Sequence, residues 1–154
     1  MREGFLGTSA PFYADLALVL ELAMGVGLLT GALLARAGKF RAHAWCQSVV
    51  VLLNAGVIAL AMAPSYRQHV VPGMPLKLGK SFFAMAASHA ALGAVVEVMG
   101  LYILLAAGTT FMPEKLRLTR YKLWMRSVLV SWWAVILLGA ATYARWYIPG
   151  FFRR

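Results

Sequence analysis

The chain has 154 residues, 62% of them hydrophobic and only 13% charged, whereas soluble domains run nearer half apolar and a quarter charged. This composition excludes a substantial soluble domain. The formal net charge of +10 would suit nucleic acid, but the basic residues gather at the ends of long apolar runs, where they meet lipid headgroups, so the membrane surface is their expected partner.

In chain order, the opening segment Met1–Phe12 holds Gly4, Gly7 and Pro11 and is expected to be irregular. The first apolar run, Tyr13–Ala35, is too long for a cleaved leader. It contains Asp15 and Glu21 and follows a single basic residue, Arg2, so it reads as a retained span. Its Gly27-Leu-Leu-Thr-Gly31 stretch is a small-residue device common where membrane helices pack. The second run, Trp45–Ala63, is expected to end at Pro64, and the segment to Ser81 carries the turn residues Pro72, Gly73 and Pro75. The third run is Phe82–Gly108, with Pro113 opening the next connection. The fourth, Trp124–Ile148, is ended by Pro149 and Gly150.

A run of about 20 apolar residues spans the hydrocarbon core as a helix, and in lipid the backbone must satisfy itself within the helix. The alternating segments of a barrel are absent. Four such runs with short links predict one all-α transmembrane domain, an antiparallel up-down four-helix bundle. Tyr66, Phe82, Phe83, Tyr121, Trp124, Trp146, Tyr147, Phe151 and Phe152 mark the span ends as interfacial anchors. Eight cations fall on the side of the first and third loops and seven on the other. The third loop, with Lys115, Arg117, Arg120 and Lys122, is the densest cluster and places both termini outside the cytoplasm.

Ionisable groups at bilayer depth are costly and usually serve something. His89 and Glu97 lie eight residues apart in the third run, on one face of a helix. At ~1.5 Å rise per residue, Glu21 lies ~12 Å into span one and His89 ~10 Å into span three, and Thr142 falls at a similar level. These three are expected to share a layer. Asn54 and Glu97 match in depth on the opposite half, ~15 Å from their common side. Ala86, Ala90, Gly93 and Ala94 surround His89 and leave room for a neighbouring helix or a flat cofactor. His89 reads as a buried hydrogen-bonded residue, a cofactor or metal ligand, or a proton carrier. Glu97 reads as a proton-relay carboxylate or as a protonated acid bonded to Asn54.

His43 and Cys46, three apart, can share a helix face and offer two ligands to a soft metal, or simply an interfacial histidine and a buried thiol. Cys46 is the single cysteine, so no intrachain disulfide forms. His69 lies past span two on the His89 side and is the other histidine able to meet His89 around one iron, or else a surface-loop residue. No phosphate loop, HExxH or CxxC motif occurs. Arginine is not periodic within any span, against a voltage sensor, and four unbroken helices are few for an inverted-repeat transporter.

From His43 to Tyr147 the layout resembles a bacterial membrane family known as domain of unknown function 420. His43, His69 and His89 fall near the first three histidines of its pattern, and Gly139 and Tyr143 stand near its Gly-x-x-x-Tyr pair. Tyr121 stands about where its fourth histidine would be, and His69 is displaced by several residues. The resemblance implies a small cytochrome-b-like four-helix bundle, linked in some members to assembly of haem–copper terminal oxidases. The expectation is thus a multi-pass protein of a bacterial plasma (inner) membrane that acts as an accessory or assembly subunit of a respiratory redox complex. It would partner other membrane subunits and the lipid bilayer rather than catalyse bond chemistry by itself. The sharp form holds haem b near His89, with His69 as second ligand and Gly93 beside it. Glu21, Glu97 and Asn54 would serve as relay or supporting groups. The rivals are a purely structural subunit and a small proton or metal transporter.

Overall fold

A computed structural model describes residues 4–74, 76–108, 113 and 119–148. The cationic residues Arg2, Lys115, Arg117, Arg153 and Arg154, the aromatic anchors Phe151 and Phe152, and the expected breakers Pro75, Pro149 and Gly150 lie outside the described residues. The elements are α1 (Phe12–Arg36), α2 (Phe40–Val57), a π-helical turn (Ile58–Met62), α3 (Ala63–His69), a short 3-10 turn (Val71–Gly73), α4 (Ser81–Gly108) and α5 (Tyr121–Tyr147). No strand occurs among the described residues.

Pro11 opens α1 in extended geometry, where its missing N–H is no loss. Gly38 closes it at φ +73°, a left-handed conformation that costs glycine little. The N–H groups of Gly38 and Lys39 bond the carbonyls of Ala35 and Leu34 at 3.1 and 2.9 Å, satisfying the helix end and sending the chain back into α2. α1 packs chiefly on α2, and α4 on α5; α1 also meets α5, and α2 meets α4, which closes an up-down ring of four spans.

Span two corrects the expected boundary. The helix starts at Phe40 and runs as one candidate span to Gly73, 34 residues, through Pro64. Pro64 sits in the first turn of α3, immediately after the π-helical turn. In a first turn a residue needs no intrahelical N–H bond, so proline is accommodated there instead of ending the span. The other spans differ from expectation by one to three residues, with α5 starting at Tyr121.

The core is asymmetric along the membrane normal. Away from the chain's N-terminal side, Leu28, Val50, Val51, Val96, Trp132 and Ile136 form a buried cluster, with glycine at the closest approaches. A Cβ on Gly27 would come within 2.9 Å of Val50, and one on Gly100 within 3.0 Å of the Trp132 ring. Toward the N-terminal side the same bundle opens into two cavities. All four spans are long and apolar enough to cross a bilayer. Their outer faces leave residues such as Val26, Leu60 and Val130 exposed, at 61, 85 and 70%. The protein is therefore a multi-pass membrane protein whose outer surface suits lipid.

Candidate functional site

The larger cavity, about 320 Å³, lies between α4 and the end of span two. Its α4 wall is the small-residue face Ala86, Ala90, Gly93 and Ala94, and its opposite wall includes Ile58 and Met62 of the π-helical turn. Small side chains on α4 leave space that larger ones would fill, and a π turn reorients side chains in a way that recurs at functional sites. Tyr66 and Arg67 stand at the end nearer the membrane face. The smaller cavity, about 130 Å³, lies among α1, the end of span two and α5, beneath Tyr13, Tyr143 and Tyr147. Glu21, Met62, Ser65, His89, Thr142 and Trp146 line both. The layer of Glu21, His89 and Thr142 thus forms the junction of the two cavities.

His89 is held from α5. Its Nδ1 lies 3.2 Å from the Val135 carbonyl. A carbonyl only accepts, so Nδ1 carries the hydrogen and the neutral ring keeps its lone pair on Nε2. The ring rests on Gly139, where a Cβ would come within 2.8 Å of Cε1. Any larger residue there would push the imidazole off its seat. Nε2 has no hydrogen-bond partner among the described residues. His89 is thus hydrogen-bonded to a neighbouring helix, as the first of its three readings expects, and the same arrangement leaves the Nε2 lone pair open to a metal or a proton.

The carboxylates differ from one another. Asn54 Nδ2 donates to Glu97 Oε2 at 2.8 Å, so equal depth here is contact. Both residues are 7% exposed, and Asn54 Oδ1 and Glu97 Oε1 are buried without a partner. Glu21 is equally buried, and no hydrogen bond or ion pair among the described residues reaches its carboxyl. Thr142 gives its hydroxyl hydrogen to Leu138 O at 2.8 Å, leaving its oxygen as an acceptor toward the cavities.

The remaining histidines lie elsewhere. His69 is exposed, its Nδ1 is 3.0 Å from the Ser65 carbonyl, and its ring is 6.3 Å from Trp146; it lines neither cavity. Trp146 itself stacks on Phe82 at 4.6 Å. His43 and Cys46 both face α1, binding the Gly31 and Gly27 carbonyls at 2.8 and 3.3 Å. They therefore fasten α2 to the glycine face of α1. No group of three or more His, Cys, Asp or Glu able to hold a metal occurs among the described residues.

Sequence reasoning missed two residues. Met62, placed by the π-helical turn, brings a thioether to both cavities. Asp15 is wholly buried and accepts from the Phe5 and Leu6 N–H groups at 2.6 and 2.7 Å and from the Tyr143 hydroxyl at 2.5 Å. Tyr143 Oη also lies 2.6 Å from Thr8 Oγ1, and Ser9 Oγ donates to Tyr147 O. Together they strap the opening segment across the end of α5. An acidic residue in the first helical turn after a glycine-bearing loop was the available signal. Gly139 and Tyr143 each have a definite place: one seats His89, the other holds Asp15. Comparison with protein-family models, with curated proteins and with solved structures finds no match.

Proposed function

We propose that this protein is an accessory or assembly subunit of a redox complex in a bacterial plasma membrane, and that its larger cavity holds haem b through His89. The carrying observation is the imidazole fixed by Val135 O, with a free Nε2 beside a cavity walled by small residues. The donor chemistry would suit haem iron: a neutral nitrogen base whose orientation the backbone sets. Haem iron would supply reversible one-electron transfer. The chain's part is to orient the nitrogen through Val135, to seat the ring on Gly139 and to keep the site apolar with Ala86, Ala90, Gly93 and Ala94. Met62 adds a soft thioether to the cavity wall. His69, the partner that the family resemblance implies, lines neither cavity.

The cations of the third loop support an orientation with both termini outside the cytoplasm. A purely structural subunit is the alternative; His43 and Cys46, both spent on joining α2 to α1, favour it.

The full chain, purified in detergent and supplied with haem during expression, tests the proposal by its reduced-minus-oxidised visible spectrum. The expected result is a Soret and α-band pair, with haem per protein reduced at least tenfold in His89→Ala. A colourless wild-type protein, or a spectrum indifferent to His89, overturns it.

A further inference from the structure

The Asn54–Glu97 pair holds an unresolved contradiction unless a proton is present. Asn54 has given one N–H to Glu97 Oε2, and its own Oδ1 is a buried acceptor without a donor. Glu97 Oε1 is a second buried acceptor without a donor. An ionised carboxylate has no hydrogen to offer, and no lysine or arginine among the described residues pairs with it. A charge left in apolar surroundings with one hydrogen bond is expensive. A proton on the carboxyl removes the charge and supplies the missing donor.

That proton must come from somewhere, and the cavities offer it a route from the N-terminal side. One turn beyond Glu97, Gly100 meets the Trp132 ring, and Leu28, Val50 and Val51 are 3–5% exposed. At these residues that half of the bundle is closely packed. On the other side the larger cavity reaches Asn54, and Glu21 lines both cavities. The smaller one continues past Thr142 to Tyr143 and Tyr147 near the N-terminal strap. Glu21 is 7% exposed and unpartnered at the junction, a carboxyl free to take a proton and pass it on.

We infer that Glu97, bridged to Asn54, is a proton-binding site that exchanges with water at the N-terminal membrane face, through the smaller cavity and by way of Glu21. A proton enters from water, resides on the Glu21 carboxyl, moves to Glu97 and leaves by the same route. Among the described residues neither carboxyl is hydrogen-bonded to His89, which also lines the junction. This path needs no cofactor.

Infrared spectroscopy of the purified full chain tests it through the carbonyl band of a protonated acid. The band of Glu97 is the one lost in Glu97→Gln. On transfer to D₂O it is expected to shift as the proton exchanges. The shift should slow at least tenfold in Glu21→Gln, which removes the relay but keeps its size. It should slow as much in Ala140→Phe, which narrows the smaller cavity and alters no titratable group. Retention of the band at its original position shows that each variant keeps the pair. Absence of any acid band that Glu97→Gln removes overturns the site, and an unchanged exchange rate in either variant overturns the route.

Discussion

Asp15 and Glu21 lie six residues apart on α1, both buried, and are treated in opposite ways. Asp15 receives three hydrogen bonds, from two backbone N–H groups and the Tyr143 hydroxyl. Among the described residues Glu21 receives none, and it faces the junction of two cavities. A buried carboxylate surrounded by donors is a fastening: it ties the opening segment to α5. A buried carboxyl left without a partner lowers stability, and its retention is expected where it serves something else. Within two turns of a single helix, one carboxylate is tied into the fold and the other faces open space.

Substitutions can break the comparison or sharpen it. The largest effect is expected for Asp15→Ala, which leaves two N–H groups and a tyrosine hydroxyl without their acceptor. It should lower unfolding free energy in detergent by about 3 kcal/mol, as read from a denaturant midpoint. Asn54→Leu removes the donor that Glu97 has among the described residues and should cost about 2 kcal/mol in the same assay. Tyr143→Phe removes one hydroxyl bridging Asp15 and Thr8 and should cost about 1 kcal/mol. Glu21→Gln breaks no bond and should leave the midpoint within about 0.5 kcal/mol of wild type. If Glu21→Gln were as damaging as Asp15→Ala, the two carboxylates would not differ in kind.

How much of this was legible in the sequence depends on dimension. Depth along the membrane normal follows from residue number at a fixed rise, so the Glu21, His89 and Thr142 layer and the Asn54–Glu97 pairing could be anticipated from counting. The small residues around His89 were visible for the same reason, being spaced along one helix face. Rotation about the helix axis is not written in residue number, and that decides which residue faces a cavity and which faces lipid. His69 illustrates it: it lies on the expected side of the membrane and still lines neither cavity. The helix through Pro64 was hidden because proline's penalty vanishes in a first turn, and only the preceding π-helical turn creates one there. Asp15 was hidden because its donors come from an irregular loop and from a residue 128 positions away.

Haem titration of the purified protein tests the central claim most directly, with wild type, His89→Ala and Asp15→Asn compared at a temperature where all three remain folded. The account predicts a saturable Soret change in wild type and in Asp15→Asn, the latter less stable but with its cavity intact, and none in His89→Ala. Equal binding by His89→Ala, or selective loss in Asp15→Asn, would contradict it.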